Sequence, residues 1–185
     1  FYGRKDVKGE STEFSFTRFY APLINHFKDV VLFCDNDFLW QCNPSELLQY
    51  LGDNDVAVVK HDLKEVKDDK MDGIKNKWYP KKCWSSLMLF NCAKCKVLTV
   101  DYVNKASGLE LHQFKWLKDD SEIGNINDFG WNFLINVQEL PKQREKVDQI
   151  PLLHWTLGGP WFGDDDNLSE FDKEWFKARD DSMKI

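Results

Sequence analysis

The chain has 185 residues, 42% of them hydrophobic, a length and composition that predict one compact domain spanning residues 1–185. Its formal net charge of −6 argues against a nucleic-acid binder, which needs a basic surface to neutralise phosphates. The longest apolar runs are far shorter than the roughly 20 residues of a membrane span, and no signal peptide is readable at the start, so we expect a protein without a transmembrane segment.

The five cysteines are odd in number and follow no disulfide framework, which predicts reduced thiols and a cytoplasmic location. Cys92 and Cys95 form a CxxC pair. A structural zinc site needs about four ligands and the chain has no second CxxC, so this pair indicates neither zinc nor redox chemistry by itself.

The first half of the chain alternates predicted helices and strands. Apolar residues at helical spacing predict a helix over 14–23, and a continuous apolar run predicts a strand over 30–34 that is buried on both faces of a parallel sheet. Asn43, a proline and a capping-box glutamate predict a helix start at Pro44. A second apolar strand is expected over 56–59.

The second half continues the alternation after a long loop. The loop over 61–84 is rich in Lys and Asp, and its length indicates a functional segment, here a lid or acceptor wall. Strands are predicted over 87–90 and 152–155. Helices are predicted over 100–105, ending at Gly108, over 129–137, and after Gly163. This order predicts an α/β fold with a mostly parallel central sheet flanked by helices.

Asp35 and Asp37 carry the strongest chemical signal. They follow the apolar strand directly, with one residue between them. Ligands of open α/β sheets bind beyond the carboxyl ends of strands, and two carboxylates on such a loop can turn toward one hard cation. A metal held there can neutralise the charge of a departing diphosphate.

His154 lies at the end of another short apolar strand and is followed by Gly158 and Gly159. Imidazole is a good ligand for Mn²⁺, so two carboxylates and this histidine make a plausible metal site. The two glycines would let the backbone approach a phosphate without a Cβ in the way. A buried, hydrogen-bonded core histidine is the alternative for His154, and His61 at another strand end has the same two interpretations.

Several segments together resemble one enzyme family. The chain is similar to GT-A-type glycosyltransferases related to the glycogenin and lipopolysaccharide galactosyltransferase group, and more closely to bacterial and viral glycosyltransferase-like proteins. The resembling segments occur in the expected order over most of the chain; they are residues 11–19, 32–40, 58–62, 79–82, 84–92 and 154–162. The resemblance implies a GT-A fold and transfer of a hexose from a nucleotide-sugar, such as a UDP-sugar, to a glycan or other hydroxyl acceptor.

The resemblance also assigns roles to individual residues. Asp35 and Asp37 would be the DxD ligands of Mn²⁺ or Mg²⁺, with Asp35 also near the ribose, and His154 would match the late metal-binding histidine of the family. Arg18 would lie near the donor, and Asn91 would face the donor sugar.

The acidic residue that relatives place close to the reacting carbon maps to Glu122 or to its neighbour Asp120, and both retaining and inverting chemistry stay open. Relatives have a lysine before the Pro-Trp pair, where this chain has Gly159, so Lys60 or Lys82 would have to contact the diphosphate instead. Only 34 residues precede Asp35, which implies that much of the N-terminal nucleotide-binding half is missing and that the chain is a fragment.

Two other functions are compatible with parts of the sequence. Haloacid-dehalogenase-like phosphatases also place DxD after an apolar strand, but they have Thr or Val two residues after the second Asp, where this chain has Leu39. A metal-free carbohydrate-binding domain would use exposed tryptophans as stacking platforms. Its candidates are Trp78, Trp84, Trp131 and Trp161.

Overall fold

A computed structural model describes residues 15–63, 79–140, 142, 144, 146–162 and 168–184. These residues form two compact units. The first unit contains the described residues of 15–34, 45–63 and 79–127, and the second contains those of 35–44 and 128–184. Each unit has its own β-sheet and its own cluster of buried side chains. The prediction of one catalytic domain over residues 1–185 stays a prediction.

The described residues form seven short strands, four α-helices and eight 3-10 helices. The strands are β1 (Val30–Cys34), β2 (Phe38–Trp40), β3 (Val56–Val58), β4 (Leu87–Asn91), β5 (Ile123–Asn125), β6 (Phe133–Leu134) and β7 (Leu152–His154). The α-helices are α1 (Ala21–Ile24), α2 (Val100–Lys105), α3 (Gly108–His112) and α4 (Glu170–Ser182). The 3-10 helices are Thr17–Tyr20, Pro44–Tyr50, Trp84–Ser86, Cys92–Lys94, Asp120–Glu122, Phe129–Asn132, Val147–Gln149 and Pro160–Phe162.

The sheet of the first unit has the strand order β1-β4-β3-β5. Strands β1 and β3 run antiparallel to β4, and β5 runs parallel to β3. The central strands β3 and β4 are almost entirely buried, as their continuous apolar sequences require. Their side chains pack with the first 3-10 helix and with α2 and α3; Phe16, Phe19, Phe90, Leu98, Leu111 and Phe114 are among the largest members of this core.

The sheet of the second unit has the strand order β2-β7-β6, with β2 antiparallel and β6 parallel to β7. Its core combines this sheet with the 3-10 helix Val147–Gln149 and with α4, and contains Phe133, Ile135, Val147, Ile150, Leu153 and Trp155. Helix α4 begins at a capping box of Ser169 and Asp172. The Asp172 carboxylate also accepts a hydrogen bond from the indole of Trp155, the residue that follows β7.

The structure confirms the α/β class but not a mostly parallel sheet. Of the five strand pairings among the described residues, three are antiparallel. A continuous apolar run indicates burial on both faces and does not report strand direction, and β4 is buried between two antiparallel neighbours. The expected burial of β1 was also wrong, because among the described residues it pairs with β4 alone and Val30 is 40% exposed.

Several element boundaries follow the sequence signals. Strand β1 and helix α2 coincide with the predicted ranges, β3, β4 and β7 differ by one residue at one end, and a helix follows Gly163 as expected. Helix α2 does not end at Gly108. It ends at Lys105, and Gly108 instead opens α3, because the Ser107 side chain caps Glu110 and forms a capping box with it.

Other helix predictions were wrong in type. The helix expected over 129–137 is a 3-10 helix followed by β6, since Phe133 and Leu134 pair with β7 in the sheet. The helix expected over 14–23 is the 3-10 helix Thr17–Tyr20 followed by the single α-helical turn α1. The predicted helix start at Pro44 is confirmed, and this helix is of the 3-10 type. Over 129–137, pairing of Phe133 and Leu134 with a distant strand outweighs the local helical periodicity.

No helix in the described part of the chain has both the length and the apolar character to cross a bilayer. Most of the proposed lid loop, residues 64–78, lies outside the described residues, as does Trp78.

Candidate metal centre

Pairing of β2 with β7 brings the two acids next to the histidine. Phe38 lies directly opposite His154 in this antiparallel pair. The backbone N–H of Trp155 donates to the Asp37 carbonyl at 3.0 Å, which extends the pairing by one residue beyond the strand ends. The main chain of Asp37 is therefore fixed beside the end of β7, in the same unit as His154.

Asp35, Asp37 and His154 contribute one possible ligand atom each, and these three atoms all lie within 4.8 Å of one another. Two ligands of one ion, each about 2.0–2.6 Å from it, stand at most about 5 Å apart. The separation therefore fits a single cation. Both aspartates are half-buried and His154 is buried, so protein atoms cover part of the site.

Hydrogen bonding defines the state of the His154 ring. Its Nδ1 lies 2.8 Å from the side-chain oxygen of Asn132, and an amide oxygen can only accept. Nδ1 therefore carries the proton, and in the neutral ring Nε2 presents a lone pair.

Nε2 of His154 lies 3.4 Å from Oδ1 of Asp37. That Asp37 oxygen is buried and has no hydrogen-bond partner in the structure. In the neutral ring protonated on Nδ1, these two atoms are both acceptors that face each other. A buried acceptor without a partner is costly, and a cation bound by both atoms would remove that cost.

Phe38 packs against the face of the His154 imidazole. Its phenyl group is stacked on the imidazole of His154, with ring centroids 4.1 Å apart and an interplanar angle of 18°. The stack restricts the tilt of the imidazole, while Asn132 restricts its rotation. Neither residue was predicted as part of the site. Phe38 simply follows the acids, and the one sequence signal for Asn132 is a polar residue inside the apolar stretch 131–135.

The two glycines after His154 have structural roles of their own. Gly158 has φ 111°, a backbone conformation that favours glycine. Gly159 is buried beneath the indole of Trp161, and a Cβ at this position would lie 2.2 Å from a ring carbon. Packing therefore accounts for Gly159, and the phosphate contact predicted for both glycines stays a prediction.

Two of the donor-binding residues suggested by the resemblance, Arg18 and Asn91, lie in the first unit and are held by main-chain or aromatic contacts there. The Arg18 guanidinium donates to the Ser85 carbonyl at 2.8 Å and lies over the ring of Phe33. Asn91 ends β4, and its N–H donates to the Asp55 carbonyl at 2.9 Å.

The candidate cations and acids also lie in the first unit. The Lys60 ammonium lies over the Trp84 indole, and burial lowers its pKa. Lys82 is half-buried. Asp120 is bound by Lys81 at 2.5 Å, and the Glu122 carboxylate accepts a hydrogen bond from the N–H of Lys118. The roles predicted for these first-unit residues in donor binding and catalysis stay predictions.

The first unit also contains His61, Cys92 and Cys95, for which the sequence offered more than one interpretation. His61 is buried, and its carbonyl accepts a hydrogen bond from the indole N–H of Trp84. All five cysteines are free of disulfide bonds. Cys92 and Cys95 are buried, and burial raises the pKa of both thiols, so they are not activated as nucleophiles.

A known relative extends over most of the chain. The chain is 40% identical over 164 residues to Protein CDI of Arabidopsis thaliana. The match covers 87% of this chain and 62% of that protein, so the chain spans less than two thirds of the length of this relative. No protein-family profile matches the chain. No solved structure matches it either.

Proposed function

We propose that the chain is the catalytic part of a metal-dependent glycosyltransferase that moves a hexose from a nucleotide-sugar, such as a UDP-sugar, to a hydroxyl of a glycan or another acceptor. The observation that carries the proposal is the pair of facing acceptors, Asp37 Oδ1 and His154 Nε2, with Asp35 beside them. The resemblance of the DxD segment and of the segment after His154 to GT-A enzymes gives this cation site its proposed use.

The donor set suits a small divalent cation. Carboxylate oxygens are the ligands preferred by Mg²⁺ and Mn²⁺, and an imidazole nitrogen favours a transition metal such as Mn²⁺. Asp35 and Asp37 would hold the ion by their oxygens and His154 by Nε2. When bound, such an ion supplies neutralisation of the charge that develops on a diphosphate leaving group.

Most of the remaining roles come from the resemblance and belong to residues of the first unit. In the proposal, Arg18 and Asn91 bind the donor, Lys60 or Lys82 contacts the diphosphate, and Glu122 or Asp120 acts near the reacting carbon. Gly158 and Gly159, in the second unit, would contact the phosphates through their backbone. Both retention and inversion are compatible with these assignments.

A GT-A fold and a cytoplasmic location are also part of the proposal. The α/β class and the acids at the end of β1 agree with a GT-A fold, although the two sheets are mixed in direction. Five free cysteines are typical of a reducing compartment, which supports a cytoplasmic location.

Turnover of a nucleotide-sugar tests this proposal. Release of UDP from a panel of UDP-sugars, with and without an acceptor mixture, is measured in Mn²⁺ and again after chelation. We expect Mn²⁺-dependent release by the wild type and by Asp148→Asn, an exposed acid of the same unit that serves as the matched control. Asp37→Asn should lose the release. Release that does not depend on Mn²⁺ or on Asp37 would contradict the proposal.

The same variants separate the other two functions. A haloacid-dehalogenase-like phosphatase would hydrolyse a generic phosphomonoester, which a glycosyltransferase leaves intact. A metal-free carbohydrate-binding domain would bind glycans equally well with Asp37→Asn. Of its four candidate tryptophans, Trp131 is buried and cannot serve as a stacking platform, whereas Trp161 is 39% exposed.

A further inference from the structure

Asn132 is a fully buried polar residue at a fixed position beside His154. It ends the 3-10 helix Phe129–Asn132, whose start is capped by the Asp128 carboxylate through the N–H of Gly130. The next residues form β6, which pairs in parallel with β7. The backbone on both sides of Asn132 is therefore held by hydrogen bonds.

Burial of an amide side chain is unfavourable unless the amide is hydrogen-bonded. Asn132 has no exposed surface, and its oxygen accepts the Nδ1 proton of His154 at 2.8 Å. An apolar residue of similar size would avoid the desolvation cost in a core position. The contact with the imidazole is therefore one that helps to satisfy this buried amide.

We infer that Asn132 is a positioning residue of the metal centre, which keeps His154 in the Nδ1–H tautomer with the lone pair of Nε2 directed toward the Asp37 side. The inference rests on the proposed cation site. In this inference Asn132 acts through its contact with Nδ1 of His154.

The alternative tautomer shows why this contact matters. With the proton on Nε2, His154 could donate to Oδ1 of Asp37, 3.4 Å away. That hydrogen bond would satisfy the buried oxygen and would occupy both ligand atoms, so a cation would have to displace it. Loss of an outer-shell partner of a metal-binding histidine typically lowers metal affinity about 10–100-fold.

Two substitutions of Asn132 separate positioning from packing. Asn132→Leu keeps the approximate volume and removes the acceptor, whereas Asn132→Asp keeps an oxygen acceptor for Nδ1. Ile135→Ala is the matched control, since it removes buried volume in the same core and leaves the acceptor in place. Circular dichroism and thermal unfolding establish that each variant is folded.

Nitrogen NMR of histidine-labelled protein reads the tautomer directly, without metal and in mildly alkaline buffer, with the His154 signals assigned by a His154→Gln variant. We expect the Nδ1–H tautomer in wild type, Asn132→Asp and Ile135→Ala, and a shift toward Nε2–H in Asn132→Leu. An Nε2–H tautomer in the wild type, or an unchanged tautomer in Asn132→Leu, would overturn the inference.

Calorimetric titration with Mn²⁺ supplies the second readout. We expect Asn132→Leu to bind about 10–100-fold more weakly than wild type, with Asn132→Asp and Ile135→Ala near wild type. Equal affinity of wild type and Asn132→Leu would refute a positioning role. If the wild type itself binds no Mn²⁺, the proposed function fails, and the NMR result still decides whether Asn132 sets the tautomer.

Discussion

The imidazole of His154 lies against the ring of Phe38, 4.1 Å away between ring centroids, because the two residues face each other across the β2–β7 pair. This one cross-strand contact brings residue 37 beside residue 154. A shift of the register by one residue would turn Phe38 to the other face of the sheet and would break this stack.

Phe38→Leu should lower both stability and Mn²⁺ affinity. Leucine keeps part of the apolar contact but loses the aromatic stack, which is worth about 0.5–1.5 kcal/mol. The free energy of unfolding from urea titration measures the first effect and calorimetry the second. Phe38→Tyr retains the ring and serves as the control. A Phe38→Leu variant with wild-type stability and affinity would show that the stack does not hold the histidine.

Gly159→Ala should destabilise the second unit by about 1–3 kcal/mol, because the new methyl group would overlap the Trp161 indole. The indole is 39% exposed, but moving it aside would disturb its contacts with Trp175 and Trp155, whose ring centroids lie 5.6 Å and 6.2 Å away. Thermal unfolding in the wild-type and Trp161→Leu backgrounds measures the effect. The cost should largely disappear in the Trp161→Leu background.

Gly158→Ala provides the matched comparison. Its cost comes from the positive φ of residue 158 and not from the indole, so Trp161→Leu should not rescue it. If Trp161→Leu restored the stability of both glycine variants equally, overlap with the indole and positive φ would not be the separate causes of the two losses.

His112 should make the protein less stable in acid. Burial lowers the pKa of His112 from 6.5 to about 3, and the charge of Arg18 adds to the shift. Between these two values the unfolded chain binds a proton that the folded chain does not. Stability from this residue is therefore present above about pH 6.5 and is lost as the pH falls toward 3, with a slope of at most about 1.4 kcal/mol per pH unit.

His112→Asn tests this dependence. The asparagine side chain cannot titrate, and its oxygen can take the place of Nδ1, which lies 2.6 Å from the Ser85 hydroxyl. Unfolding free energies between about pH 7 and about pH 4 should fall less steeply in the variant than in the wild type. Parallel pH profiles for the two proteins would show that His112 does not contribute.

Asp128→Ala should cost more stability than Arg144→Met. The Asp128 carboxylate accepts from the N–H of Gly130 at 2.9 Å and from both terminal nitrogens of Arg144. Loss of the acid removes a helix cap worth about 1 kcal/mol together with the ion pair, whereas loss of the arginine removes an ion pair worth at most about 1 kcal/mol. Urea titration of both variants decides the order, and a reversed order would contradict this account.

The sequence could predict which residues are chemically unusual but not how the strands meet. The DxD pair and the histidine stand out because polar groups follow apolar strands, and the structure places all three together. Strand β2 has only three residues, and its pairing with β7 joins positions more than a hundred residues apart. No local pattern reports such a contact, so β2 and the role of Phe38 were missed.

Two of the wrong predictions have different physical origins. The apolar stretch around Phe133 satisfies helical spacing, yet Phe133 and Leu134 form a strand because they pair with β7. Gly108 was interpreted as a helix end, while the capping box of Ser107 makes it a helix start. Local propensities are worth fractions of a kcal/mol per residue, and tertiary pairing overrides them in short elements.

Binding of Mn²⁺ to wild type and to Asp37→Asn tests the central claim most directly. We expect the wild type to bind one Mn²⁺ per chain and Asp37→Asn to bind it more weakly, by at least the roughly 10–100-fold typical of losing an outer-shell partner. Asp148→Asn should bind like the wild type. Failure of the wild type to bind Mn²⁺, or equal binding by Asp37→Asn, would contradict the claim that Asp35, Asp37 and His154 form a metal centre.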